Sequence, residues 1–134
     1  MGRCKTIVKQ LKIEDGLLLT DIQLTFKGNS LSLHRVLVDT GSGGTIISTD
    51  LAESMGIIPE EDDVIYRITG VGGSEFVFTK KIDSIKIADV EIRDFILEVG
   101  AMNYGFDLDG IIGLNFLQKI KAIINLDKLT IDFN

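Results

Sequence analysis

Apolar residues return at every second position through most of this 134-residue chain, a period that commits it to strands rather than helices. Ile22, Leu24 and Phe26 alternate with polar residues, Lys27-Gly28-Asn29-Ser30 supplies a turn, and Leu31 and Leu33 resume the alternation. Val36-Leu37-Val38 follows as a continuous apolar run, the pattern of a strand buried on both faces. Ile65 to Ile68 and Phe76 to Phe78 flank a glycine-rich tip, Thr69-Gly70-Val71-Gly72-Gly73-Ser74, which predicts a second hairpin. Ile82 to Ile87 turns at Ala88-Asp89 into Val90-Glu91-Ile92, and Phe95 to Val99 continues the pattern. Ile123 to Leu126 turns at Asp127-Lys128 into Leu129 to Phe133. Helix is confined to two short pieces. Asp50 to Met55 has Ser48 and Thr49 as candidate N-caps and Gly56 as its C′ residue, and a turn starts at Asn115 and runs through Gln118. The expected architecture is mostly β, with many short strands closing as a small barrel or sandwich.

Composition narrows the function. The length suits one domain with one core over residues 1–134, residues 1–12 being set apart as a terminal arm or dimer strand. A net charge of −6 opposes nucleic-acid backbones and anionic membranes. One Cys and one His build neither a zinc site nor a disulfide framework, so no metal or other cofactor is expected. No apolar stretch approaches the ~18 residues of a spanning helix. The start, Met1-Gly2-Arg3-Cys4-Lys5-Thr6, lacks the apolar core of a signal peptide, which predicts a cytoplasmic protein. Gly2 and Thr6 also fit the short, error-prone N-myristoylation pattern, for which a frayed terminus is the plainer reading. The run Glu60-Glu61-Asp62-Asp63 lacks the alternating spacing of a calcium loop and reads as a solvated loop.

The chemistry concentrates in Val36-Leu37-Val38-Asp39-Thr40-Gly41-Ser42-Gly43-Gly44-Thr45-Ile46-Ile47-Ser48. A carboxylate at the end of a buried strand is costly unless it is hydrogen-bonded or functional. The glycines that follow Asp39 let backbone N–H groups come close to its oxygens, and the chain then re-enters a strand. Asp39 is either a positioned reagent or a turn former, which Asp-Thr-Gly-Ser would serve equally well. A second segment, Asp107-Leu108-Asp109-Gly110-Ile111-Ile112-Gly113-Leu114-Asn115-Phe116-Leu117, sets an apolar pair and a glycine before a short amphipathic turn.

With both segments in view, the chain resembles the retropepsin-like aspartic proteases, the single-domain relatives of pepsin. The order of features from about Ile13 to Phe133 is that family's order. The resemblance implies a small closed β-barrel of the acid-protease type. It makes Asp39 the catalytic aspartate, Thr40 the residue whose hydroxyl bonds across a dimer axis, and Gly41 the residue keeping backbone close to the carboxylate. Ser42 matches the version with a hydroxyl beside the aspartate, and is expected to donate a hydrogen bond to it. Ile111-Ile112-Gly113 matches the segment that threads a ψ-shaped pair of strands. Gly70, Val71, Gly72 and Gly73 match the substrate-binding flap, against the plainer reading of an ordinary hairpin loop. No tyrosine stands in that tip, and Tyr66 lies earlier in the arm.

The implied activity is hydrolysis of extended, apolar peptides with no metal. One carboxylate activates a water while a second, protonated one donates to the carbonyl. Two such groups held close share one proton. The chain has one Asp-Thr-Gly, so the second aspartate is expected from another copy on a two-fold axis, with Thr6 to Val8 and Leu129 to Phe133 as strands to pair across it. The alternative is a catalytically weak or inactive interaction module on the same fold, which need not keep Asp39-Thr40-Gly41 intact. A phosphate-cradling ATPase loop is a third reading, opposed by the missing α/β domains and the missing Gly-Lys-Ser/Thr.

Overall fold

The computed structural model describes residues 7–70, 73–105 and 107–133. The chain order is β1 (Ile7–Gln10), β2 (Lys12–Glu14), β3 (Leu17–Phe26), β4 (Asn29–Val38), β5 (Ile46–Ser48), α1 (Thr49–Ser54), β6 (Ile65–Gly70), β7 (Gly73–Ile87), β8 (Val90–Gly100), β9 (Gly110–Ile112), α2 (Leu114–Lys119), β10 (Ile123–Asn125) and β11 (Thr130–Phe133). The expected hairpins form. Lys27 and Gly28 both take positive φ, 48° and 82°, the geometry whose twist matches the strands it joins. Ser48 caps α1 by accepting from the Leu51 N–H at 3.3 Å, and Gly56 follows at φ 81°. The second helix starts one residue earlier than the sequence indicated, with Gly113 at its N-cap.

The large sheet runs β2-β3-β4-β9-β5-β8-β7-β6, and β3 also pairs with β7 through Gln23–Thr25 and Ser84–Lys86. That extra pairing closes β3, β4, β9, β5, β8 and β7 into a ring. The mostly β, barrel-like expectation holds, with two short helices. β7 makes closure possible because its length lets one end pair with β6 and the other with β3. Leu24, Leu33, Val36, Ile85, Leu97 and Ile112 fill the ring, and α2 plugs it with Phe116, edge-on to Phe95 at 5.8 Å. A second apolar group, Leu19, Ile46, Val77, Met102 and Leu108, lies apart from this core.

Three expectations need correction. Leu37 is only half-buried, because one face of β4 looks onto that second apolar group rather than into the core. Residues Leu129 to Phe133 are not free to pair with another copy. β11 sits in the middle of a separate sheet, β1-β11-β10, with both edges taken by its own chain, while Thr6 lies outside the described residues. The acidic run is not simply solvated. Glu60 and Asp63 hold Lys80, whose side chain is 8% exposed and whose Nζ donates to them at 3.1 and 2.6 Å. Burial works against the Lys80 charge, but the bonds to Asp63 and Glu60 outweigh it and hold the ammonium above its ordinary value.

Candidate active site

β9 runs between the two strands that carry the Asp39–Thr45 loop. It is parallel to β4, Leu37 opposite Ile111, and antiparallel to β5, Ile46 opposite Ile111. Its entry is fixed by Asp109, whose carboxylate accepts the His34 and Arg35 N–H groups at 3.1 Å each. Past β9 the chain is clamped to the loop. The Asp39 N–H donates to the Ile112 carbonyl at 3.0 Å, the Leu114 N–H to Ser42 at 2.7 Å, and the Asn115 N–H to Gly43 at 3.2 Å. Buried Thr45 accepts from the Gly113 N–H at 3.2 Å and donates to the Asn115 side chain at 2.8 Å. A Cβ on Gly113 would lie 2.1 Å from the Gly44 carbonyl oxygen and 2.6 Å from that of Ser42, so only glycine fits there.

Asp39 emerges half-buried from this frame, and its Oδ1 accepts the Gly41 N–H at 2.9 Å. Ser42 behaves differently from expectation. Its hydroxyl donates to the Gly44 carbonyl at 2.9 Å, tightening the loop rather than touching the aspartate.

Asp39, Gly41, Ser42 and Ile111 line one cleft of about 810 Å3, floored by Leu17, Leu37, Ile46 and Leu108. Ile68, Thr69, Ser74 and Glu75 of the β6–β7 hairpin line it as well. Ile112 and Gly113 stand behind the loop, both buried. Gly70 pairs with Gly73 at the end of the hairpin, while Val71 and Gly72 lie outside the described residues. Thr40 turns away, exposed, into a separate shallow hollow with Leu114, Leu117, Gln118, Lys121, Ala122 and Ile124.

With that geometry in hand, residues 22–116 match the family model described as aspartyl protease. The chain belongs to the aspartyl protease family. Among solved structures, it is similar to a retropepsin-like aspartic protease from Rickettsia conorii, with TM-score 0.66, 15% identity, and coverage of 98% of this chain and 100% of that one. No curated protein matches the sequence significantly. The fold is therefore retropepsin-like, as the order of its motifs implied.

This aspartyl protease fold also holds cleft residues that the sequence reading passed over. Glu75, Glu98 and Tyr104 line the cleft, and no Lys, Arg or His does so among the described residues. Glu75 is tied down: its carboxylate accepts from the Met102 N–H at 3.1 Å and from the Tyr104 hydroxyl. Glu98 lies near the Tyr66 phenol. Burial and the charge of Glu75 push the Glu98 carboxyl above its usual range, with Tyr66 pulling the other way. Burial, then the Glu98 charge, pushes the Tyr66 phenol up to about 12; burial and Glu75 raise that of Tyr104. A signal for Glu98 was present. In Phe95-Ile96-Leu97-Glu98-Val99 the buried residues are Phe95, Leu97 and Val99, so alternation sends Glu98 off the core face.

Proposed function

We propose that this protein is a homodimeric aspartic endopeptidase in which two Asp39 side chains, one from each copy, hold and activate the attacking water. The observation that carries the reading is Asp39 itself, fixed on a loop bonded to the threading segment and opening onto the cleft. One Asp39 carboxylate takes a proton from water as its oxygen attacks the scissile carbonyl, and the other gives its proton to the carbonyl oxygen. Collapse of the resulting diol breaks the C–N bond; the departing nitrogen takes the proton that the first Asp39 removed from water, and a diol hydroxyl returns a proton to the second. Gly70, Val71, Gly72 and Gly73 would close over the peptide, and Ser42 keeps the loop in shape from behind.

The need for a second copy follows from the single Asp-Thr-Gly. The surface beside Thr40 is suited to receive it. Leu114 shares a hollow with Thr40 and is 39% exposed, and Ile123 and Leu126, in and just after β10, are 51% and 66% exposed, apolar area that a two-fold interface would remove from water. The outer edges of β1 and β10 carry no strand partner among the described residues, so they, and not β11, are the edges available for pairing.

Sedimentation and peptide cleavage test this together. The protein should dimerise at micromolar concentration, and Asp39→Asn should lower turnover by at least roughly a thousandfold while leaving the dimer intact. A strict monomer that cleaves peptide, or an Asp39→Asn protein with full activity, would overturn the reading. A dimer of wild-type protein that cleaves nothing would favour an interaction module instead.

A further inference from the structure

Glu98 occupies a position in the cleft that depends on a missing side chain. Its backbone N–H donates to the Thr45 carbonyl at 2.8 Å, which sets β8 directly against the end of the Asp39–Thr45 loop. A Cβ placed on Gly44 would come within 1.9 Å of the Glu98 Oε1, so the bare glycine is what gives the carboxylate its room. On the other side stand Tyr66 from β6 and Glu75 from β7, with Tyr104 beyond.

The two glutamates are not equivalent. Glu75 has both oxygens engaged, by Met102 and Tyr104, whereas the Glu98 carboxylate has only the Tyr66 phenol near it. Neither takes part in an ion pair among the described residues. A half-buried carboxylate in a cleft without basic residues is an attractive site for a cation arriving from outside. A divalent ion fits poorly, because no group of three or more acidic, His or Cys ligands converges among the described residues. A cationic side chain on a bound peptide fits well, since its alkyl stem can lie along Ile46, Leu108 and Ile111 while its head reaches the carboxylate.

We propose that Glu98, given room by Gly44, makes this cleft select substrates that place a lysine or arginine side chain in the subsite between Gly44 and Tyr66. The proposal rests on the peptidase reading for its substrate and departs from the apolar preference that family resemblance implies.

The test uses non-cleavable, statine-containing peptides of one extended sequence, with lysine or norleucine at each position in turn. They are titrated into the Asp39→Asn protein, so binding is read whether or not the wild type turns over. At one position lysine should bind about tenfold more tightly than norleucine at neutral pH, the scale of a partly desolvated charge pair. Glu98→Gln should abolish that ratio without loss of norleucine binding. Gly44→Ala, which dislodges the carboxylate from the other side, should reduce it too. Because protonation removes the charge, the ratio should shrink as pH falls through the raised Glu98 titration and stay flat in Glu98→Gln. Equal binding of lysine and norleucine at every position, or a ratio that survives Glu98→Gln, would overturn the proposal. Cleavage assays on the wild type separate the two ideas: lysine-selective binding without cleavage sinks only the peptidase reading, and cleavage without selectivity sinks only this one.

Discussion

The threaded loop and the glycine-tipped hairpin line the same cleft and are held in opposite ways. In the loop the backbone does the holding. The Asp39 N–H, the Ser42 and Gly43 carbonyls and the Thr45 side chain are all bonded to β9 or the chain just after it. Beyond Phe78 the hairpin is a two-stranded ribbon, with Ile65 63% and Phe76 71% exposed on its outer face. Such a ribbon has little stability of its own, and side chains rather than backbone hold it: Val77 packs into the second apolar group, and Glu75 bonds to Met102 and Tyr104. The contrast separates two requirements. The reacting carboxylate needs fixed geometry, and the element that admits a peptide needs freedom to move.

The contrast breaks first at Gly113. Gly113→Ala forces a methyl group onto two carbonyl oxygens that are themselves hydrogen-bonded, so neither can retreat without losing a partner. The cost should be ~3 kcal/mol or more, a large share of the ~5–15 kcal/mol that holds a small domain folded. Urea titration would show it, and a loss under ~1 kcal/mol would mean that the loop is not rigid.

Ser42→Ala should have a smaller effect, and its kind is informative. The hydroxyl supports the Gly44 carbonyl and does not reach Asp39, so its removal costs ~1 kcal/mol of stability. The pH optimum of any peptide cleavage should stay within a few tenths of a unit of wild type. A clear upward move of that optimum would show that Ser42 turns to the aspartate when a second copy docks.

Those outcomes bear on what the sequence disclosed. The hairpins and the Ser48 cap were legible because each depends on residues close in the chain, and the threading of Ile111-Ile112-Gly113 beside the Asp39 loop was implied by the family resemblance. What stayed hidden depends on residues distant in sequence. Ring closure through Gln23–Thr25 and Ser84–Lys86 leaves no local trace, since both segments simply read as strands. Ser42 offered several plausible acceptors, and only the loop's path selects Gly44. Glu98 looked like any polar residue on the outward side of a strand until folding set it against Gly44. Lys80 and the acidic run were each unremarkable alone, and their pairing is a tertiary fact.

The smallest effect is expected on the hairpin itself, at Phe76. Its ring is 71% exposed and stands opposite Arg67 on the outer face, whereas Glu75 beside it turns into the cleft. An exposed aromatic contributes little to stability, and threonine is an equally good strand former, so Phe76→Thr should stay within ~0.5 kcal/mol of wild type. Urea titration at two protein concentrations checks this directly. If the hairpin is an open ribbon, both titrations should overlay those of the wild type. A loss of more than ~1 kcal/mol that grows with protein concentration would mean that a second copy covers the outer face of the hairpin. In that case the contrast with the threaded loop would narrow, because another chain would hold the outer face of the hairpin as well.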